Sequence, residues 1–331
     1  MGNMEEKIKQ SILHTLAYFD VFDYGLTFLE IYKFIYTDNV LCAMPACQQG
    51  FTDKDILNKL VSLIQSGEVQ HQEGYYFLPG REEIVAKRQA NVWLVEEKMK
   101  QSLRGIKKLA RVPFIRSVFV CNTVAGVGVE EKSDIDVFII VKKGRIFLAR
   151  AIATFILSLF NLRRTKRKIK NKICLSFYVT DDNLNLSSIA FENDVYLMYW
   201  LAQLIPVYDP DNLLISLQKA NTWVEKHLPN VFQSYKILPR WQVINNRFWQ
   251  AIKKFFERIW GGGYGDLMEV QARGMQLNKM KMNISSVQNE PDTRVVVNDK
   301  MLKFHEKDRR LEYKEIWEKR CVGLIPKLVS E

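Results

Sequence analysis

The 331-residue chain has little of the thiol and imidazole chemistry that builds metal frameworks. It carries five cysteines (Cys42, Cys47, Cys121, Cys174 and Cys321) and four histidines. Cys42 and Cys47 are the one close pair, with no CxxC and no His partner at ligand spacing. A disulfide framework or a zinc site is therefore not expected. Long apolar runs are also missing. The longest, Ile146 to Leu162, is interrupted by Arg150 and falls short of a membrane span. Gly261-Gly262-Gly263 is not followed by Lys-Ser or Lys-Thr, which excludes a P-loop. Acidic residues are outnumbered, 37 against 48 Lys and Arg, for a net charge of +11. That balance favours an anionic partner such as a nucleotide, a nucleic acid or a membrane surface. The start, "MGNMEEKIKQ", is polar and has no signal-peptide pattern, so a cytoplasmic protein is expected.

What the chain does have is core-forming material. With 47% hydrophobic and 12% aromatic residues, it can fill two or three globular units. Residues 1–80 read as the first: helices in "MEEKIKQSILHTLAYFD", "LTFLEIYKFIY" and "TDKDILNKLVSLIQSG", then a hairpin in "EVQHQEGYYFLPGR" about Glu73-Gly74. Thr52 or Asp53 can cap the third helix and Gly67 can stop it. This order of elements resembles winged helix-turn-helix domains, which implies a third helix that reads a DNA groove or docks a protein. The basic residues Lys54 and Lys59 are offset by Asp53 and Asp55, an unusual balance for a groove reader.

Residues 81–112 form a charged connecting helix that ends before Pro113. The next unit, 113–185, contains "CNTVAGVGVEEKSDIDVFIIVKK", Cys121 to Lys143. "FIRSVFVC" predicts a buried strand leading into a small-residue turn. "DIDVFIIV" predicts a second, whose apolar tail suits a strand covered on both faces. Alternation along that strand points Asp134 and Asp136 the same way. Two carboxylates so close repel unless a cation lies between them, and hard oxygen ligands of this kind suit Mg²⁺ held jointly with substrate phosphates. Turn backbone N–H groups beside them can take the phosphates.

These residues resemble the signature of the DNA polymerase β-like nucleotidyltransferases: a strand, a Gly-Ser turn, about ten residues, then Asp-x-Asp on the next strand. Here Asn122-Thr123 stand where Gly-Ser is usual, and Asn tolerates the left-handed backbone better than other non-glycine residues. The resemblance implies an α+β fold with a nucleotidyltransferase-type mixed sheet flanked by helices. It also implies Asp134 and Asp136 as catalytic ligands of Mg²⁺ (or Mn²⁺), and Asn122, Thr123, Gly126 and Ser133 around a nucleoside triphosphate. Members usually carry a third carboxylate on the following strand. In "KICLSFYV" no acid is available; Ser176 takes that place, and Asp181 in the following turn is the candidate third metal ligand.

Between the strands, Ile146 to Leu162 is expected to be a crossover helix packed on the sheet. The basic run from Arg163 to Lys172 suits anionic lipid or nucleic acid. Residues 186–331 read as mainly helical with a basic tail. Ser187 or Ser188 is the expected cap of a helix through Tyr196, Tyr199 and Trp200, and His305 is expected among surface charges. The function that follows is transfer of a nucleoside monophosphate from an NTP to a hydroxyl on a protein, an RNA end or a small molecule. Two alternatives stay open: a catalytically reduced nucleotide sensor or DNA- or partner-binding regulator, and a peripheral membrane protein. The motif fixes neither the acceptor nor the oligomeric state.

Overall fold

The computed structural model describes residues 2–38, 51–122, 128–232, 237–282, 290 and 292–324. These hold ten α-helices and eight strands, an α+β architecture around a six-stranded mixed sheet.

The chain opens with α1 (Gly2–Asp20), α2 (Phe28–Phe34) and α3 (Asp53–Gln65). Thr27 and Thr52 each head a capping box, with Glu30 and Asp55 returning the hydrogen bond. The hairpin β1 (Gln70–Gln72) and β2 (Tyr75–Phe77) follows. Its turn residues Glu73 and Gly74 both have positive φ, 52° and 83°, the geometry tight hairpins need. Helix α4 (Glu83–Leu109) stops short of Pro113, as expected.

The sheet then forms from β3 (Ile115–Val120), β4 (Ile135–Val141), β5 (Ile173–Thr180), β6 (Ile205–Tyr208), β7 (Val295–Val297) and β8 (Met301–Phe304), in the order β6-β3-β4-β5-β8-β7. Strands β4 and β5 are parallel and joined through α5 (Ile146–Leu159); the other pairs are antiparallel. The rest of the chain supplies α6 (Val195–Ala202), α7 (Leu213–Ala220), α8 (Arg247–Ile259), α9 (Gly263–Lys281) and α10 (Arg310–Leu324). The region after residue 186 is mainly helical, as expected, but it also supplies three of the six strands. Its short apolar segments "IPVY", "VVV" and "MLKF" are too brief for helices and complete the ladder on both sides of β3–β5.

Side-chain alternation gives the sheet two packed faces. Phe119, Phe138 and Phe177 face a core shared with α1, α6 and α10. Val137, Ile139 and Tyr178 face a second core under α4 and α5. The first eighty residues join the first core without a seam: Tyr18 stacks on Tyr199 at 4.0 Å, and the Tyr199 hydroxyl donates to the Phe34 carbonyl at 2.9 Å.

Helix α5 buries Ile146 to Ala149, Ala153 and Leu157 and exposes Phe155 and Leu159. Among the described residues no helix is long and apolar enough to cross a membrane. Helix α6 is capped by Asp194, which accepts from Leu197 N at 3.0 Å; Ser187 and Ser188 belong to a separate short turn instead. The glycine break before α9 is pinned rather than loose, because Arg145 donates to the carbonyls of Trp260, Gly261 and Gly262.

Candidate functional site

Strand β3 delivers the chain to the mouth of β4. Cys121 N donates to the Asp136 carbonyl at 3.1 Å, and Asn122 then turns left-handed with φ 55°. The tolerance of Asn for that conformation is what lets the turn form without glycine. Thr123 and Gly126 lie outside the described residues. The loop returns through Gly128, also at positive φ, to Ser133. The Ser133 hydroxyl donates to the Glu130 carbonyl at 2.9 Å. Its own carbonyl accepts from Lys98 Nζ at 2.7 Å, and Lys98 is fully buried. Ser133 therefore braces the loop, and its hydroxyl does not line the pocket.

Asp134 and Asp136 converge as alternation requires. A carboxylate oxygen from each and the Cys174 sulfur all lie within 4.8 Å of one another. Cys174, not Ser176, is the β5 residue paired with Asp136. The register slips between this pair and Phe138–Phe177, so Leu175 and Ser176 together oppose Val137 in a bulge. Asp181 is not part of the cluster. Its backbone N donates to Val141 O and its carboxylate accepts from Lys143 N, at the far end of β4 from Asp134. Seven strand residues separate the two ends, and no side-chain motion closes that gap.

Charge at the cluster is set by burial and by one guanidinium. Burial and the neighbouring Asp134 raise the pKa of Asp136, against hydrogen bonds from Asn122 and Cys174 and the charge of Arg164. Burial, then Asp136 and Asp134, push the Cys174 thiol up, so it stays a neutral thiol. Arg164 comes from the basic run: Arg164 N donates to the Ile173 carbonyl, and Nε meets Asp134 Oδ2 at 2.6 Å.

The cluster faces a pocket of about 500 Å³. Tyr196, Leu197 and Trp200 of α6 form one wall, and Lys303 to Arg310 with Tyr313 form the other. Arg310 locks the two walls together. It bonds Asp194 at 2.6 Å, Asp308 at 2.9 Å and the Ile189 carbonyl at 3.0 Å, all out of water. Lys303 is also buried, on Asp308 at 3.0 Å and the Thr293 carbonyl at 2.6 Å. Lys307 and Arg309 stand exposed on the same wall. His305 is not a surface residue among charges: it lines the pocket, with Nε2 at 3.3 Å from Ser176 Oγ and its ring edge-on to Phe177. Burial, helped by Lys303, lowers its pKa to about 4, so the imidazole is neutral near pH 7.

Arg164, Cys174, His305 and the Lys303–Arg310 wall were not evident from sequence. The Asp-x-Asp spacing marks its own strand but says nothing of which later segment folds over it. Comparison with known proteins returns no match: no family model fits the sequence, and neither a curated protein nor a solved structure is similar enough to count.

Proposed function

We propose that the pocket binds a nucleoside triphosphate and that the chain is a nucleotidyltransferase of the DNA polymerase β-like type. The observation that supports this reading is the convergence of Asp134 and Asp136 at the mouth of β4, facing a pocket whose opposite wall is cationic. Two carboxylates fit Mg²⁺ or Mn²⁺ held jointly with phosphates; the neutral Cys174 thiol adds no hard ligand. A divalent ion there would neutralise the triphosphate and favour the in-line displacement. Lys307 on the far wall, and Arg309 on exchanging its Glu312 partner, would take the β- and γ-phosphates, with Asn122 holding the turn opposite. Tyr196 and Tyr313, stacked at 5.3 Å, offer a flat apolar surface for the base.

In the reaction the acceptor hydroxyl oxygen bonds to the α-phosphorus, and the bond to the bridging oxygen breaks to release pyrophosphate. His305 Nε2, directly or through the Ser176 hydroxyl, takes the acceptor's proton. A neutral imidazole with a pKa of about 4 has the basicity of the carboxylate that this strand lacks.

A second reading has support in the Arg164–Asp134 pair and in Cys174: a cation already neutralises one carboxylate, and no third acid joins the pair among the described residues. On that reading the fold binds nucleotide without turnover. The first eighty residues serve in either case as a winged-helix-type docking module. The outward face of α3 exposes Leu57, Val61 and Ile64, which suits a protein partner better than a DNA groove.

The deciding experiment incubates the protein with α-labelled NTPs and three acceptor classes: protein, RNA ends and small hydroxyl compounds. Label should move to one class and stop moving in Asp134→Asn and Asp136→Asn. Nucleotide binding with no transfer to any class would favour the second reading.

A further inference from the structure

Helix α8 covers only part of its apolar side: Trp249, Ile252 and Phe256 are partly buried, and a lysine is buried beside them. Its lysine points in: Lys253 is buried, donating to the carbonyls of Ala110 and Ile115 and to the Tyr208 hydroxyl at 3.1 Å. Glu257 holds the same side, accepting from Phe114 N at 2.7 Å and from Arg116 at 2.9 Å. These bonds fix the rotation of the helix. The consequence is that Phe248 and Phe255 are 64% and 59% exposed, in line with Ala251 and Ile259. At 3.6 residues per turn those four positions fall within an arc of about 80°.

Along one edge of that arc run Arg247, Lys254 and Arg258, within about 40° of one another. All three are exposed, and none makes an ion pair among the described residues. Just after the glycine break, α9 likewise exposes Tyr264, Leu267 and Val270. Large aromatic and aliphatic side chains left in water lose burial free energy unless something covers them.

We infer that α8 and the start of α9 seat the protein on an anionic lipid bilayer, with the Phe248–Ile259 strip in the interface and the Arg247–Arg258 edge on the phosphates. The pairing of an apolar strip with a flanking cation row is the pattern of a helix lying in the interfacial plane. The cation row decides the occupant. A second copy of the chain would bring a like-charged edge to the same face, and the chain as a whole carries +11. Anionic headgroups meet both halves of the surface at once. This seat is distinct from the run at 163–172, where Arg164 is committed to Asp134.

The test is co-sedimentation of the full chain with vesicles of phosphatidylcholine, alone or mixed with phosphatidylglycerol. Pelleting should need the anionic lipid and weaken as salt rises. Arg247→Gln, Lys254→Gln and Arg258→Gln should each weaken it roughly fivefold. Phe248→Ser with Phe255→Ser should remove the salt-resistant remainder. Both sets change exposed side chains, so thermal melts should match the parent protein. No pelleting with anionic vesicles would overturn the inference, as would pelleting indifferent to both sets. If instead the phenylalanine variant changes the sedimentation coefficient of the free protein, the face belongs to a self-association interface.

Discussion

Arg164 Nε lies 2.6 Å from Asp134 Oδ2, so a guanidinium holds one of the two carboxylates that converge at the mouth of β4. Any divalent ion drawn to Asp134 and Asp136 must displace it. Arg164→Gln should therefore bind Mn²⁺ more tightly in the absence of nucleotide, by roughly fivefold, the worth of a part-exposed ion pair. With nucleotide present the sign reverses, because the freed guanidinium is then available to the triphosphate. Titration of free Mn²⁺ by its paramagnetic resonance signal checks the first half and nucleotide titration the second. The effect should vanish in an Asp134→Asn background; an unchanged Mn²⁺ affinity there and in Arg164→Gln alike would place the ion elsewhere.

Asp134→Asn and Asp136→Asn separate binding from folding. Asp136 is half-buried and its pKa already raised by desolvation and by Asp134, so an uncharged isostere relieves like-charge repulsion. The expected outcome is loss of label transfer by a factor of about a thousand or more, set by loss of charge stabilisation at the phosphate. The thermal midpoint should stay equal or rise in Asp136→Asn, whereas Asp134→Asn gives up the Arg164 pair and should be slightly destabilised, by about 1 kcal/mol or less. A fall in Asp136→Asn would mean that this carboxylate serves the fold rather than a ligand.

His305 gives a pH signature. Its folded-state pKa is lowered from 6.5 to about 4, chiefly by burial, with Lys303 and Arg310 adding to the effect and Asp308 opposing it. Between those values the unfolded chain binds a proton that the folded chain does not, so stability falls as pH drops from about 6.5 to about 4. The loss is at most about 3 kcal/mol. His305→Gln should flatten that part of the curve, measured by urea unfolding across the range. Buried His227 also has a lowered pKa, so a remainder should persist. In a transfer assay the same variant should lower kcat more than it raises KM.

Much of this fold is written locally. The capping boxes at Thr27 and Thr52, the Glu73-Gly74 turn and the stop before Pro113 depend on residues three or four apart, and they form as their patterns indicate. The Asp134–Asp136 pair is equally local, since two residues on one strand share a face by geometry alone. Arg164 and His305 are different. The first lies 30 positions from Asp134 and depends on where the chain after α5 re-enters the sheet. The second depends on β8 pairing with β5, a contact between segments 124 residues apart in the Tyr178–Leu302 pair. Cys174 rather than Ser176 stands opposite Asp136 for a related reason: where β5 enters beside Ile135 sets the register, and alternation in the sequence does not fix it.

Gly105 tests how closely the connecting helix governs the site. A Cβ at this position of α4 would sit 2.5 Å from Ile173 Cγ1 and 2.9 Å from its Cδ1. Ile173 immediately precedes Cys174 in β5. Gly105→Ala should therefore destabilise by about 1–3 kcal/mol through overpacking, despite the better helix propensity of alanine. It should also loosen Mn²⁺ binding by shifting the start of β5. Unchanged urea midpoints would show that Ile173 can rotate away at no cost.

The Arg310–Asp194 pair joins the two pocket walls, and its loss should be felt in both stability and binding. Asp194 caps α6 and is buried; Arg310 opens α10 and is buried with it. Burial raises the pKa of Asp194, opposed mainly by Arg310, so the guanidinium is what keeps the carboxylate charged in place. Arg310→Met leaves Asp194 uncompensated and Asp308 with Lys303 alone, an arrangement that costs about 3–5 kcal/mol. Asp194→Asn retains the cap oxygen but strands the guanidinium, and should cost less because Asp308 still holds it at 2.9 Å. The double variant should be less destabilised than the sum of the two. Because Tyr196 and Tyr313 face each other across this joint, nucleotide affinity should fall in Arg310→Met while Mn²⁺ binding at Asp134 and Asp136 is retained. Equal losses of both would mean that the substitution unfolds the sheet rather than parting the walls.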